Sequence, residues 1–149
     1  PIVQGDRLFV STGYETGCAV LQLSNRGLDV VWENREMHNK MSTCVLVEGH
    51  LYGFDESTLK CIDFRTGEER WSQRGLGMGA LMAADGKLIV ISGEGDLVIA
   101  DASPHAYHQR ARAKVIDGHD CWIVPVLAGG KIYCRSGGGQ LVCIDVQRQ

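Results

Sequence analysis

An all-β fold made of repeated strand units is what this sequence predicts, and three observations carry the prediction. Short apolar runs alternate with glycine-containing turns along the chain. The pattern of apolar strand, glycine turn and apolar strand recurs four times, in residues 2–10, 45–53, 81–90 and 126–134. The turn glycines Gly5, Gly49, Gly86 and Gly130 stand 44, 37 and 44 residues apart, a period near 40 that belongs to propeller blades rather than helical solenoids. The expected architecture is therefore a β-propeller of about four four-stranded antiparallel blades, the last lacking its outer strand: a partial or half propeller. Its blades fall at about residues 1–42, 43–79, 80–121 and 122–149 of a single domain.

The first two strands of each unit are the apolar runs on either side of the turn glycine. A third strand follows at residues 19–23, 59–63, 97–101 and 141–145. It is reached through Asp55, Glu56 and Ser57 in the second unit, and through residues 92–95 and 136–139 in the third and fourth, where Ser, Asp and Gly favour reversal. A fourth strand is expected at residues 28–33 and 68–73, each holding one tryptophan, and at residues 111–115 of the third unit. The fourth unit reaches Arg148 and Gln149 before any outermost strand. Residues 103–109 interrupt the third unit, and Ser103 before Pro104 predicts a capped helical turn there.

Composition bounds what such a chain does. With 149 residues, a net charge of −3 and a sequence pI near 5.9, it has no basic stripe of the kind nucleic-acid phosphates require. Its apolar runs fall far short of the roughly 18 to 20 residues of a spanning helix. Residues 1–5 have neither the basic start nor the apolar middle of a signal peptide. The 44% hydrophobic content supports a core without covalent staples. No two of the six cysteines (Cys18, Cys44, Cys61, Cys121, Cys134 and Cys143) lie closer than nine residues, so no CxxC motif exists. Four of them sit in apolar strand-like runs and are expected to be buried free thiols.

Residues 61–71 carry a more specific signal. Cys61, Asp63, Thr66, Gly67 and Trp71 supply a small residue, an aspartate, a Thr-Gly turn and a tryptophan in order. This run resembles the tryptophan-docking motif of the PQQ-like β-propellers, the quinoprotein superfamily. The resemblance implies that Cys61 takes the small position, that Gly67 turns between the two outer strands, and that Trp71 packs between neighbouring blades. Trp32, 39 residues earlier, holds the same repeat position. Asp101 and Asp145 align with Asp63, Leu23 replaces it in the first unit, and His105 and Gln109 stand where the third unit's Gly and Trp are expected. Propellers of this family usually close with more than four blades, often about eight. The chain is then expected either to be the C-terminal half of a longer propeller or to form half of a homodimeric eight-bladed ring. In that ring the last blade of each copy packs on the first blade of the other. A self-contained four-bladed ring is the other arrangement. The resemblance also implies an extracytoplasmic parent protein, periplasmic or secreted.

Segments that lead from one blade's outer strand to the next blade's inner strand lie around the axial mouth of a propeller, where ligands usually bind. Here they are residues 35–42, 74–79 and 117–122, and they gather Arg35, His38, Asn39, Lys40, Arg74, His119, Asp120 and Trp122. Arg35, Lys40 and Arg74 offer charge to a small anionic or quinone-like ligand, and Trp122 offers a stacking face. Cofactor-binding quinoproteins hold their quinone with a stacking Trp, a calcium ion and often a disulfide of adjacent cysteines. No adjacent cysteines and no acidic cluster of calcium-loop spacing occur here, so no cofactor is expected, with PQQ and calcium as the alternative.

Other candidate chemistry is weaker. His105 and His108 would share a helix face, but no third metal ligand is evident. His119 beside Cys121 lacks any sign of an activated thiol. The glycines of residues 75–79 open a strand rather than a phosphate-binding helix. The expected function is a non-enzymatic scaffold that binds a protein or small ligand at the axial mouth. A fragment of a quinoprotein-type dehydrogenase oxidising an alcohol or sugar, or a degenerate relative, is the alternative.

Overall fold

The computed structural model describes residues 1–147; Arg148 and Gln149, where the fourth unit ends, lie outside the described residues. Blade 1 is β1 (Ile2–Gln4), β2 (Arg7–Thr12), β3 (Gly17–Ser24) and β4 (Gly27–Asn34). Blade 2 is β5 (Val45–Val47), β6 (His50–Asp55), β7 (Thr58–Asp63) and β8 (Glu69–Gln73). Blade 3 is β9 (Ala80–Ala84), β10 (Lys87–Ile91), β11 (Asp96–Asp101) and β12 (Gln109–Lys114). Blade 4 is β13 (Val126–Ala128), β14 (Lys131–Arg135) and β15 (Leu141–Asp145). Each blade is an antiparallel meander with its strands in chain order, and the four together form a partial β-propeller.

The repeat has a physical cause at its inner hairpin. Three of the four inner turns place two consecutive residues at positive φ: Glu48 and Gly49, Asp85 and Gly86, Gly129 and Gly130. That is the two-residue type I′ geometry whose twist matches the flanking strands, and glycine tolerates it best. A bulge recurs between the third and fourth strands of blades 1, 2 and 3, after Val20, Cys61 and Ile99. Each blade therefore twists alike, and its two faces meet its neighbours in a fixed register.

Three cores lie between successive blades. Phe9, Val20, Met37, Leu51, Ile62 and Phe64 fill the junction of blades 1 and 2. Tyr52, Leu59, Cys61, Trp71, Leu81, Leu88 and Val98 fill the next. Ile89, Ile91, Leu97, Ile116, Ile132 and Cys134 fill the third. Inner strands β5 and β9 approach one another across a junction, as expected of strands that converge on an axis.

The third unit departs from the sequence reading. Residues 103–108 form no helical turn; bends run through them to β12. The Trp71 indole Nε1–H donates to the Ser103 carbonyl at 2.7 Å, and the Tyr107 ring packs on Trp71 at 5.7 Å. The segment is thus held by contacts to blade 2 instead of by helical bonds of its own. His105 and His108 are both exposed and share no helix face. Strand β12 starts at Gln109, two residues earlier than expected. In register, Ala111 opposite Ile99 matches Trp71 opposite Cys61, so Ala111 and not Gln109 stands at the tryptophan position. The insertion displaces the alignment by two residues.

Candidate functional site

The segments between blades have buried and exposed sides. In the first, Met37 is buried, and the Ser11 hydroxyl donates to its carbonyl at 2.8 Å. His38 is half-buried; its N–H donates to Asp55 Oδ1 at 3.0 Å, and its ring Nδ1 lies 2.7 Å from the same oxygen. Asn39 donates from Nδ2 to the Phe54 carbonyl at 3.0 Å and accepts from the Cys44 thiol at 3.0 Å. Arg35 and Lys40 are exposed, with the Lys40 ammonium 5.3 Å above the Tyr14 ring. In the second segment Leu76 is buried and Arg74 exposed. In the third, His119 and Asp120 are exposed, Cys121 is buried, and the half-buried Trp122 ring lies over Gly137. The structure therefore brings His38 and Asn39 together in one hydrogen-bonded junction. It leaves Arg35 and Lys40, Arg74, and His119 at the surface on three separate segments.

An ion cluster that the sequence reading does not anticipate lies behind His38. Lys60 of β7 places its Nζ 3.0 Å from Asp55 Oδ2 and 3.1 Å from both Glu36 Oε2 and Glu69 Oε2. Burial disfavours the ammonium, but the hydrogen bonds it donates to Asp55, Glu36 and Glu69 outweigh that and raise the Lys60 pKa well above its ordinary value. Asp55 is also opposed by burial, yet the hydrogen bonds from Lys60 and His38 hold its carboxyl below the usual range. A signal is present in the repeat: by register Lys60 occupies the position of Ala19, Val98 and Val142 in the other blades. A polar groove of about 380 Å³ runs beside the cluster, lined by Glu15, His38, Asp55, Glu56, Ser57 and Thr58.

The tryptophans cross between blades. The Trp32 indole donates to the Phe64 carbonyl at 3.1 Å and lies over Gly67, where a Cβ would come within 2.7 Å of the ring. Asp63 caps the turn before Gly67 by accepting from the N–H groups of Arg65 and Thr66 at 2.8 and 3.0 Å. Cys61 lies buried opposite Trp71. All six cysteines are free, and only Cys143 is exposed. Burial pushes the Cys18 and Cys134 thiols up to about 11 and those of Cys44 and Cys61 up to about 12, which makes them poor nucleophiles.

The two end faces differ from the internal ones. On blade 1, Val3, Leu8, Leu21 and Val30 form one cross-strand row, with Val3 70% and Val30 59% exposed. The matching row of blade 2 contains Leu51 and Ile62, both fully buried against blade 1. On blade 4 the outward row holds Val126, Tyr133 and Cys143, beside exposed Leu141. By register this row corresponds to Ile2, Phe9 and Val20, which face forward into the junction of blades 1 and 2.

These features agree with comparison to known proteins. A family model described as outer membrane protein assembly factor BamB matches residues 1–73 and 55–148. The chain belongs to the PQQ-like repeat family. Among solved structures, it is similar to BamB from Moraxella catarrhalis, with a TM-score of 0.73 and 16% identity over 97% of this chain and 42% of that one. It is also similar to a europium-containing methanol dehydrogenase, with a TM-score of 0.60 and 16% identity over 76% of this chain and 24% of that one. At such identity the likeness is one of fold. The chain spans less than half the length of either protein. No curated protein matches the sequence. Among the described residues no helix is long and apolar enough to cross a membrane.

Proposed function

We propose that the chain acts as a non-enzymatic binding scaffold: a run of blades in a larger PQQ-like ring that takes a protein or a small anionic ligand at its axial mouth. The supporting observation is the division of labour within the blade-to-blade segments. His38, Asn39, Met37 and Leu76 lock neighbouring blades, while the charged heads of Arg35, Lys40 and Arg74 stay exposed for a partner. The apolar rows on the end faces of blades 1 and 4 support ring completion by further blades, from a second copy or from the same polypeptide. An extracytoplasmic location goes with this reading. Light scattering tests the ring, with a mass of about twice 16.3 kDa expected for a two-copy closure. A concentration-independent monomer removes the homodimer.

A fragment of a quinoprotein-type dehydrogenase is the second reading, supported by the fold likeness to methanol dehydrogenase. PQQ and calcium fit this chain poorly by themselves: among the described residues no group of three His, Cys, Asp or Glu side chains is placed to hold a metal ion, and the three carboxylates that do converge are taken up by the Lys60 ammonium. Trp122 would supply a stacking face, but the acidic ligands would have to come from other blades. Melting with and without PQQ and calcium separates the readings. A ligand at 100 times its Kd adds about 2.7 kcal/mol, and a shift of that size would favour the dehydrogenase fragment.

A further inference from the structure

Each junction between blades contains the same peptide contact. The His38 carbonyl accepts from the Glu56 N–H at 3.3 Å, the Leu76 carbonyl from the Gly93 N–H at 2.8 Å, and the Asp120 carbonyl from the Gly137 N–H at 2.9 Å. The three donors are equivalent by register. Each stands six residues beyond the first residue of its blade's second strand: His50, Lys87 and Lys131. A side chain of the crossing segment is buried near each contact: Met37, Leu76 and Cys121.

The fourth member of this series is Gly13, six residues beyond Arg7. It is buried against Lys40 of the segment that leaves its own blade, and among the described residues no backbone carbonyl accepts from its N–H as one does at the other three positions. Beside it, on the outward face of blade 1, lies a cavity of about 440 Å³ whose walls include Val10, Thr12, Thr16, Cys18, Ala19 and Arg35. The cavity adjoins the exposed row of Val3, Leu8, Leu21 and Val30, so it continues a surface that in blades 2, 3 and 4 is a blade junction.

We propose that this cavity is a peptide slot. Its occupant is the extended segment that leaves the outer strand of a further PQQ-type blade of the same polypeptide seated on blade 1, with one carbonyl accepting from the Gly13 N–H. The inference rests on the reading that further blades cover the end face, and it adds which chain segment enters and where.

The test copies residues 74–80 directly ahead of Pro1. That places the copied leucine eight residues before Gln4, as Leu76 lies eight before Ala84 at the end of β9. Amide exchange at Gly13 should slow at least about tenfold as its N–H gains a partner. The NMR signals of the Val10 and Ala19 methyls should shift with it. A control extension with aspartate in place of the copied leucine should leave all three unchanged. Unchanged Gly13 exchange in the leucine extension, with the dispersed spectrum of a folded chain, overturns the slot. Protection of Gly13 in the unextended chain that grows with protein concentration overturns the assigned occupant in favour of a second copy. Light scattering reads the ring and the Gly13 amide reads the slot, so each idea fails separately.

Discussion

The junction of blades 2 and 3 and the junction of blades 3 and 4 arise from the same repeat, yet their rims are built differently. At the first, the Trp71 ring sits between Tyr52 and Tyr107, 5.9 and 5.7 Å away, and its Nε1–H bonds Ser103 of the next blade. At the second, Ala111 holds the tryptophan position, and every residue of β12 is exposed. There the outer strand is tied to its own blade, Arg110 to Asp101 and Arg112 to Asp96, both at 2.6 Å. The third junction still packs, through Ile89, Ile91, Leu97, Ile132 and Cys134. Inner and middle strands are therefore sufficient to stack two blades, and the tryptophan adds a lock at the rim.

The sharpest way to break this comparison is Trp71→Ala. Removing a buried ring that also bonds the next blade should cost about 3 to 5 kcal/mol in chemical denaturation. Trp32→Ala should cost less, about 1 to 3 kcal/mol, because that ring is only half-buried. A loss below about 1 kcal/mol at Trp71 would mean that the rim lock carries no weight even where it exists.

Much of this was legible in the chain and part of it was not, for physical reasons. The turn glycines expose the blade period because paired positive φ values leave few other residues at such positions. The Asp63 to Trp71 run is readable because a capped turn and a flat ring impose fixed residue types. The third unit misleads because residues 103–108 are ordered by Trp71, a partner distant in sequence, while Ser103 and Pro104 locally favour a helix start. His38 and Asn39 look like mouth ligands because polarity in a segment does not disclose that its partners, Asp55 and Phe54, lie one blade on. Lys60 is legible only when the four blades are aligned strand by strand.

The junction of blades 1 and 2 offers the next perturbation, since its packing depends on an absent side chain. A Cβ on Gly53 would collide with the Cys44 thiol, so Gly53→Ala should cost about 1 to 3 kcal/mol by overpacking. At the equivalent wall position blade 3 already carries Val90, so Val90→Ile should be milder if the segment of residues 74–79 leaves room. Equal losses would mean that both walls are equally tight.

The same junction should also respond to acid. Asp55 and Asp63 have carboxyl pKa values lowered in the fold: burial opposes ionisation in both, and is outweighed by Lys60 and His38 at Asp55 and by the Thr66 and Arg65 N–H groups at Asp63. Their contribution is present above the unfolded carboxylate value of about 3.9 and is lost as pH falls through the lower folded values. Lys60 works in the opposite sense: its contribution is full below about pH 10.4 and is lost only as pH rises through its higher folded pKa. Melting temperature should therefore be flat with respect to these groups from about pH 5 to pH 9 and fall below about pH 4. Lys60→Met should flatten the acid limb, because Asp55 loses its hydrogen-bonded cation. An unchanged limb would assign the acid sensitivity elsewhere.

The smallest expected effect compares two aromatic pairs that differ by one hydroxyl. Phe9 meets Trp32 at 6.1 Å and 46°, and Tyr52 meets Trp71 at 5.9 Å and 46°, so the two rings do the same work one blade apart. Yet the Tyr52 hydroxyl is buried with no hydrogen-bond partner among the described residues, and its cross-strand neighbour is the buried Cys61 thiol. An unpaired buried hydroxyl is a cost that phenylalanine avoids, so Tyr52→Phe should leave stability unchanged or raise it by up to about 1 kcal/mol. A loss of more than about 1 kcal/mol would show that thiol and hydroxyl bond in solution, and that blade 2 holds its Trp71 side through a polar contact that blade 1 does without.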